Sequence, residues 1–204
     1  MAPQDRMQQN RKSVVVSPSE IAYKPTLKGP SRPVFRSNAV RDMGSVLDLN
    51  PSVRSWTCGA VVLRVGRKKH APDLQMEDMD GRLWLLDVFD RKNLPDQDAV
   101  ATAASEMSCH YRSVDRAEIY EGFRLANAKD LLRYAGHVVP LGDRVRLLAL
   151  VGEHGPLSFA DCLRAVRETQ PVAAIASLIL QGYLAVELDD ELIGPETMVR
   201  RISS

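Results

Sequence analysis

Apolar positions along this chain recur at two different periods, and the switches between them mark out its elements. From 40 to 49, Val40, Met43, Val46 and Leu47 fall on one face of a 3.6-residue helix. Asn50-Pro51 ends that helix, because the residue before a proline is pushed out of the α region. Three apolar runs follow, at 60–65, 70–76 and 83–89. The turn-forming stretches Gly66-Arg67-Lys68-Lys69 and Asp78-Met79-Asp80-Gly81 separate them, which predicts a β-meander. Residues 96–107 are alanine-rich and lack glycine, so they read as a helix. A short strand is expected at 109–114 and a helix at 121–134, the latter carrying Phe123, Leu125, Leu131 and Leu132. The order α-β-β-β-α-β-α describes an α/β domain with a mixed sheet flanked by helices.

Beyond 137–140, which reads as a hinge, the pattern changes. A helix at 144–151 is stopped by Gly155-Pro156, and Ser158 N-caps a second helix at 159–167. Pro171 opens a third, with Val172, Ile175, Leu178 and Ile179 on its apolar face and Gly182 at its C-cap. Residues 183–188 alternate like a strand, Asp189-Asp190 makes a turn, and Leu192-Ile193 returns. Three helices followed by a hairpin within about 60 residues is a winged-helix arrangement. The expected organisation is a basic flexible arm at 1–36, a larger domain at 37–136 and a small winged-helix domain at 141–202.

Charge changes this picture only locally. The 204 residues hold 27 basic and 26 acidic side chains, a net charge of +1, so no global field attracts nucleic acid. The arm is the exception. It carries Arg6, Arg11, Lys12, Lys24, Lys28, Arg32 and Arg36 against Asp5 and Glu20, with prolines at 3, 18, 25, 30 and 33. Such an arm lies along a phosphate backbone or a partner protein, or merely solubilises; Val14-Val15-Val16 would add an edge strand to a partner. Cys58, Cys109 and Cys162 lie far apart and match neither a disulfide framework nor a zinc site. With no apolar h-region and no apolar run of about 20 residues, the expectation is a cytoplasmic protein without a membrane anchor.

Candidate chemistry sits in the two central strands. Pro72-Asp73 precedes one strand and Asp87 lies in the next, 14 positions on, with a turn between them. Two carboxylates at such positions converge at a sheet edge and would hold Mg²⁺, while a lysine two places after the second would face the scissile phosphate. That arrangement is the PD-(D/E)xK nuclease core. Here Phe89 stands at the lysine's place, and Lys92, three residues later, is the candidate to reach back. The other reading of Asp73 and Asp87 is a strand-end residue and a partnered polar group.

The chain resembles the TnsA-like transposon endonucleases, a PD-(D/E)xK domain joined to a C-terminal winged helix. The matching stretches are Leu47-Asp48-Leu49-Asn50-Pro51-Ser52-Val53, Ala71-Pro72-Asp73-Leu74 and Leu86-Asp87-Val88-Phe89. Further matches are 125–134, 180–190 and 194–201, so the resemblance spans about 35–202. It implies a restriction-endonuclease-like fold, a DNA context, and a transposase or recombination protein as partner. It also implies a glutamate near position 40, where Val40 stands; Asp42 is close but on another helical face. With that carboxylate and the lysine both replaced, the resemblance carries the fold and not the cleavage.

The expected function is therefore a catalytically inactive nuclease-fold subunit that binds DNA or a DNA-processing partner and needs no cofactor. The alternatives are an Mg²⁺-dependent endonuclease using Asp73, Asp87 and Lys92, and an interaction module or transcriptional regulator. The third helix of the C-terminal unit offers Gln170, Ser177 and Gln181 but no cation, and the wing carries Glu187, Asp189, Asp190 and Glu191. Base readout there is not expected. The candidate DNA-binding residues are Arg64, Arg67, Lys68 and Lys69 at one hairpin, and Arg200-Arg201 near the C-terminus.

Overall fold

The computed structural model describes residues 26–202. Residues 1–25 and 203–204, and with them most of the expected arm and its valine triplet, lie outside the described residues. Helix α1 (Asn38–Leu49) starts where the Ser37 side chain accepts from the Val40 N–H, and it buries the predicted face of Val40, Met43, Val46 and Leu47. Asn50 takes an extended backbone and ends it. Then come β1 (Val53–Cys58), a separate hairpin of β2 (Leu63–Val65) and β3 (Lys68–His70), and the pair β4 (Leu74–Asp78) and β5 (Leu83–Val88). Helix α2 (Gln97–Ser105) crosses over to β6 (Cys109–Val114).

These strands form a four-stranded sheet in the order β1-β4-β5-β6, antiparallel except for the β5–β6 pair, which is parallel. The parallel pair exists because α2 carries the chain back to the start of the sheet. The fold is mixed α/β, a mixed sheet flanked by helices, as its element order implied. Along β5 side chains alternate. Leu86 and Val88 join Val40, Met43, Leu47 and Trp56 under α1, whereas Leu85 joins Leu63, Val100 and Ala104 beneath the hairpin and α2. Asp87 shares the Leu85 side, which aims it at the hairpin.

The meander differs from expectation. Its first strand is β1 and not 60–65, whose second half instead forms β2. A β-bulge between Val53 and Ser55 shifts the register, so Val53 and Trp56, three residues apart, are both buried. That spacing hides the period-two signal. The 70–76 run also splits, since β3 ends at His70 and β4 begins at Leu74.

Past β6 come α3 (Arg116–Tyr120), a short helix the sequence pattern did not announce, and α4 (Arg124–Leu132). The remainder is α5 (Leu141–His154), β7 (Leu157–Ser158), α6 (Phe159–Ala165), α7 (Pro171–Leu180), β8 (Leu184–Ala185) and β9 (Met198–Arg201). Ser158 caps α6 by accepting from Asp161 N–H, and Pro171 opens α7, both as expected. The three short strands form a sheet in the order β7-β9-β8. The return strand is β9 and not Leu192-Ile193. The Ile193 N–H is instead donated to Asn127 Oδ1 on α4, and Asn127 Nδ2 donates to the Leu188 and Glu191 carbonyls.

The C-terminal unit is thus bound to the rest of the chain. Buried Asn127 holds loop 188–193, and Arg124 makes a two-pronged bond to Asp189 at 2.6 Å on each arm. In α7, residues 173–178 are all buried, and Leu131 and Leu132 of α4 belong to the same core as Ile175 and Leu178. The connection at 137–140 is held as well. Ser177 donates to the His137 carbonyl at 2.7 Å, Thr169 bonds its ring, and Val139 is buried.

Candidate functional site

Asp73 stands at the entry to β4, and Asp87 is the fifth residue of β5. The pairing of β4 with β5 at Leu74↔Leu86 brings them together. The Asp73 N–H donates to the Leu86 carbonyl at 2.9 Å and also reaches Asp87 Oδ1 at 3.3 Å. In return, the Val88 N–H donates to Asp73 Oδ2 at 2.9 Å. The two carboxylates predicted to converge do converge, and both are fully buried.

What faces them is guanidinium. Arg36, from the segment before α1, donates to both Asp73 oxygens at 2.8 and 3.0 Å and to Asp90 Oδ1 at 2.7 Å. Arg91 bridges the pair, with Nη2 2.5 Å from Asp73 Oδ1 and Nε 3.1 Å from Asp87 Oδ1. It also donates to the Ala71 carbonyl at 2.8 Å. The second oxygen of Asp87 lies 2.6 Å from His70 Nε2 and accepts from Tyr111 at 3.0 Å. Burial alone would push the Asp73 carboxyl up. The bonds from Arg36, Arg91 and the Val88 N–H outweigh it and hold it below the usual carboxylate range. Burial, then the Asp87 charge, push the Tyr111 phenol well up, so it stays a donor. The bond to Asp73 raises Arg36 as well.

This donor set does not fit Mg²⁺. That ion needs free carboxylate oxygens and room for several waters. Here each oxygen of Asp73 and Asp87 already accepts a protein hydrogen bond or ion pair, and a bridging guanidinium lies between them. No group of three or more His, Cys, Asp or Glu suited to a metal occurs among the described residues. The other two positions are apolar in place as well as in sequence. Val40 is buried beneath α1, and Phe89 packs on the same core, its ring edge-on to Tyr120 at 6.2 Å with Arg116 5.7 Å above it. Asp42 is tied up elsewhere, with Lys129 Nζ at 2.8 Å and the Tyr120 hydroxyl at 3.2 Å.

Lys92 is exposed and bonds neither carboxylate, so the cation that reaches back is Arg91. Arg91 follows the end of β5 in a turn, so its spacing from Asp87 carries no helical signal, and Arg36 lies 37 positions from Asp73; neither role is legible in the sequence. His70 and Tyr111 also went unassigned, because only the β2–β3 hairpin and the parallel β5–β6 pair bring them to Asp87.

Arg64, Arg67, Lys68 and Lys69 are all exposed on the β2–β3 hairpin, whose last residue is His70. Arg64 and Lys69 are direct cross-strand partners. Like charges so placed repel, and among the described residues no carboxylate pairs with any of the four. Arg200 and Arg201 are exposed on β9, where Arg201 crosses α5 beside Gly152, away from the carboxylate pair. Segment 26–36 lies against the core: the Leu27 and Lys28 N–H groups donate to buried Asp48, and a Cβ at Gly29 would run into the Trp56 ring. No helix among the described residues is long and apolar enough to cross a membrane. No protein-family model and no curated protein matches the chain.

Proposed function

We propose that this chain is a TnsA-like, nuclease-fold protein that no longer cuts. It binds DNA, with or without a transposase or recombination partner, as an architectural or regulatory subunit. The observation that carries this reading is the filling of the carboxylate pair by Arg91 and Arg36. Asp73 and Asp87 lie on adjacent strands of a mixed sheet, which supports reading them as the former metal ligands of a restriction-endonuclease-like core. Their charge is spent on guanidinium, and the positions of the third carboxylate and the lysine are Val40 and Phe89.

The order α5-β7-α6-α7-β8-β9 with a β7-β9-β8 sheet supports a winged-helix reading of residues 141–202. In that reading the helix and wing that would meet DNA are α7 and loop 188–193, and α4 already holds both. DNA contact then falls to the β2–β3 hairpin, where Arg64, Arg67, Lys68 and Lys69 make an unneutralised strip beside the ancestral site.

Two assays test the proposal. Supercoiled plasmid with Mg²⁺ or Mn²⁺ should remain uncut; cutting that Asp73→Ala abolishes would restore the active-endonuclease alternative. A duplex gel shift across a salt series should weaken steeply as salt rises, and replacing the four hairpin cations by alanine should lower the log–log slope by about 3 to 4. Absence of a shift even at low salt would leave the interaction-module alternative.

A further inference from the structure

The residue that replaces the nuclease lysine belongs to a small aromatic cluster outside the carboxylate pair. Phe89 follows β5, and its N–H donates to the Val114 carbonyl at the end of β6, which brings it against α3. Arg116 opens α3 and Tyr120 closes it. The Arg116 guanidinium lies 5.1 Å from the centre of the Tyr120 ring and 5.7 Å from that of Phe89. Arg116 is exposed and has no carboxylate partner among the described residues, although acids stand close in sequence. Glu118 is taken by Arg112 at 2.6 and 2.8 Å. Tyr120 is 38% exposed and Phe123, three residues on, 40%. Asp90, the neighbour of Phe89, accepts from Arg36, so the cluster abuts the filled carboxylate pair.

A guanidinium held over aromatic rings without a carboxylate partner keeps N–H groups free for a phosphate, and an exposed ring offers a π-face to a base. A duplex hides its base faces in its own stack; an unpaired nucleotide does not. The geometry points to a binding site for an unpaired nucleotide, in which the base packs on the exposed Tyr120 ring and the adjoining phosphate meets the Arg116 guanidinium. This rests on the DNA-binding reading above and assigns it a substrate class: single-stranded segments or frayed ends rather than intact duplex.

The test is fluorescence anisotropy on the full chain at one fixed salt concentration, with a labelled oligo(dT) and a labelled duplex hairpin of similar charge. The oligo(dT) should bind more tightly. Arg116→Gln and Tyr120→Leu should each weaken oligo(dT) binding about tenfold and duplex binding less than about twofold. Tyr120→Phe, which loses the bond to Asp42 but keeps the ring, should bind oligo(dT) like the parent. Arg116 is exposed, so Arg116→Gln keeps the test valid if Tyr120→Leu folds poorly. Equal losses on both probes, no loss with Arg116→Gln, or no preference in the parent overturns the inference while duplex binding stands. Failure of the parent to bind either probe overturns the DNA-binding reading as well.

Discussion

Two charged clusters meet at His70, and they are opposite in kind. In the first, Asp73 and Asp87 are buried and every oxygen is matched, by Arg36, Arg91, His70, Tyr111 or a backbone N–H. In the second, Arg64, Arg67, Lys68 and Lys69 are exposed and unmatched among the described residues, with two of them set directly opposite each other. A charge satisfied within the fold has little affinity left for a partner. A charge held against its neighbour's repulsion keeps its affinity in reserve. The buried carboxylate pair therefore has a structural role, and the exposed hairpin beside it is the surface with charge left for a partner.

The carboxylate cluster is most vulnerable at Asp87. Removing it strands buried His70, the Tyr111 hydroxyl and part of Arg91. Asp87→Ala should cost about 3–5 kcal/mol in urea unfolding. Were the pair an open metal site, deleting one of two repelling carboxylates would leave stability unchanged or raised. A second test is acid. The native Asp73 carboxyl lies below its unfolded value, so its contribution is complete above about pH 4 and is lost as pH falls through the native value. Stability should drop below about pH 4, and Asp73→Asn should flatten that limb of the curve.

Smaller effects sharpen the contrast. The Arg36 side chain is 35% exposed, and Arg91 remains when it is lost, so Arg36→Met should cost only about 1 kcal/mol. Thermal unfolding reads this; no change would remove Arg36 from the closure of the site. The hairpin should respond with the opposite sign. Replacing Arg64 and Lys69 together by serine relieves their repulsion and should stabilise by about 0.2–1 kcal/mol, while weakening DNA binding if the proposed function holds. A loss of stability there would mean the pair is matched after all.

Some of this was legible in the sequence. The α1 face of Val40, Met43, Val46 and Leu47 could be read because helical spacing is local, and all four are buried. The Ser158 and Pro171 helix starts could be read because a cap is a property of a few consecutive residues. β1 could not, because its bulge breaks the alternation that marks a strand. Nor could the true return strand, since Asn127, far away on α4, takes the Ile193 donor.

At the site, local sequence was enough to set two carboxylates on neighbouring strands and Phe89 two places after the second. Those facts depend on alternation and on a turn of known length. Only the tertiary structure decided what fills the space between them. Arg36 arrives from before α1, Tyr111 from across a parallel pair and His70 from a side hairpin, and such long-range partners leave no period in the sequence. Whether a buried carboxylate awaits a metal or is already neutralised depends on those partners, because burying an unpaired charge costs more than a fold of this size has to spare.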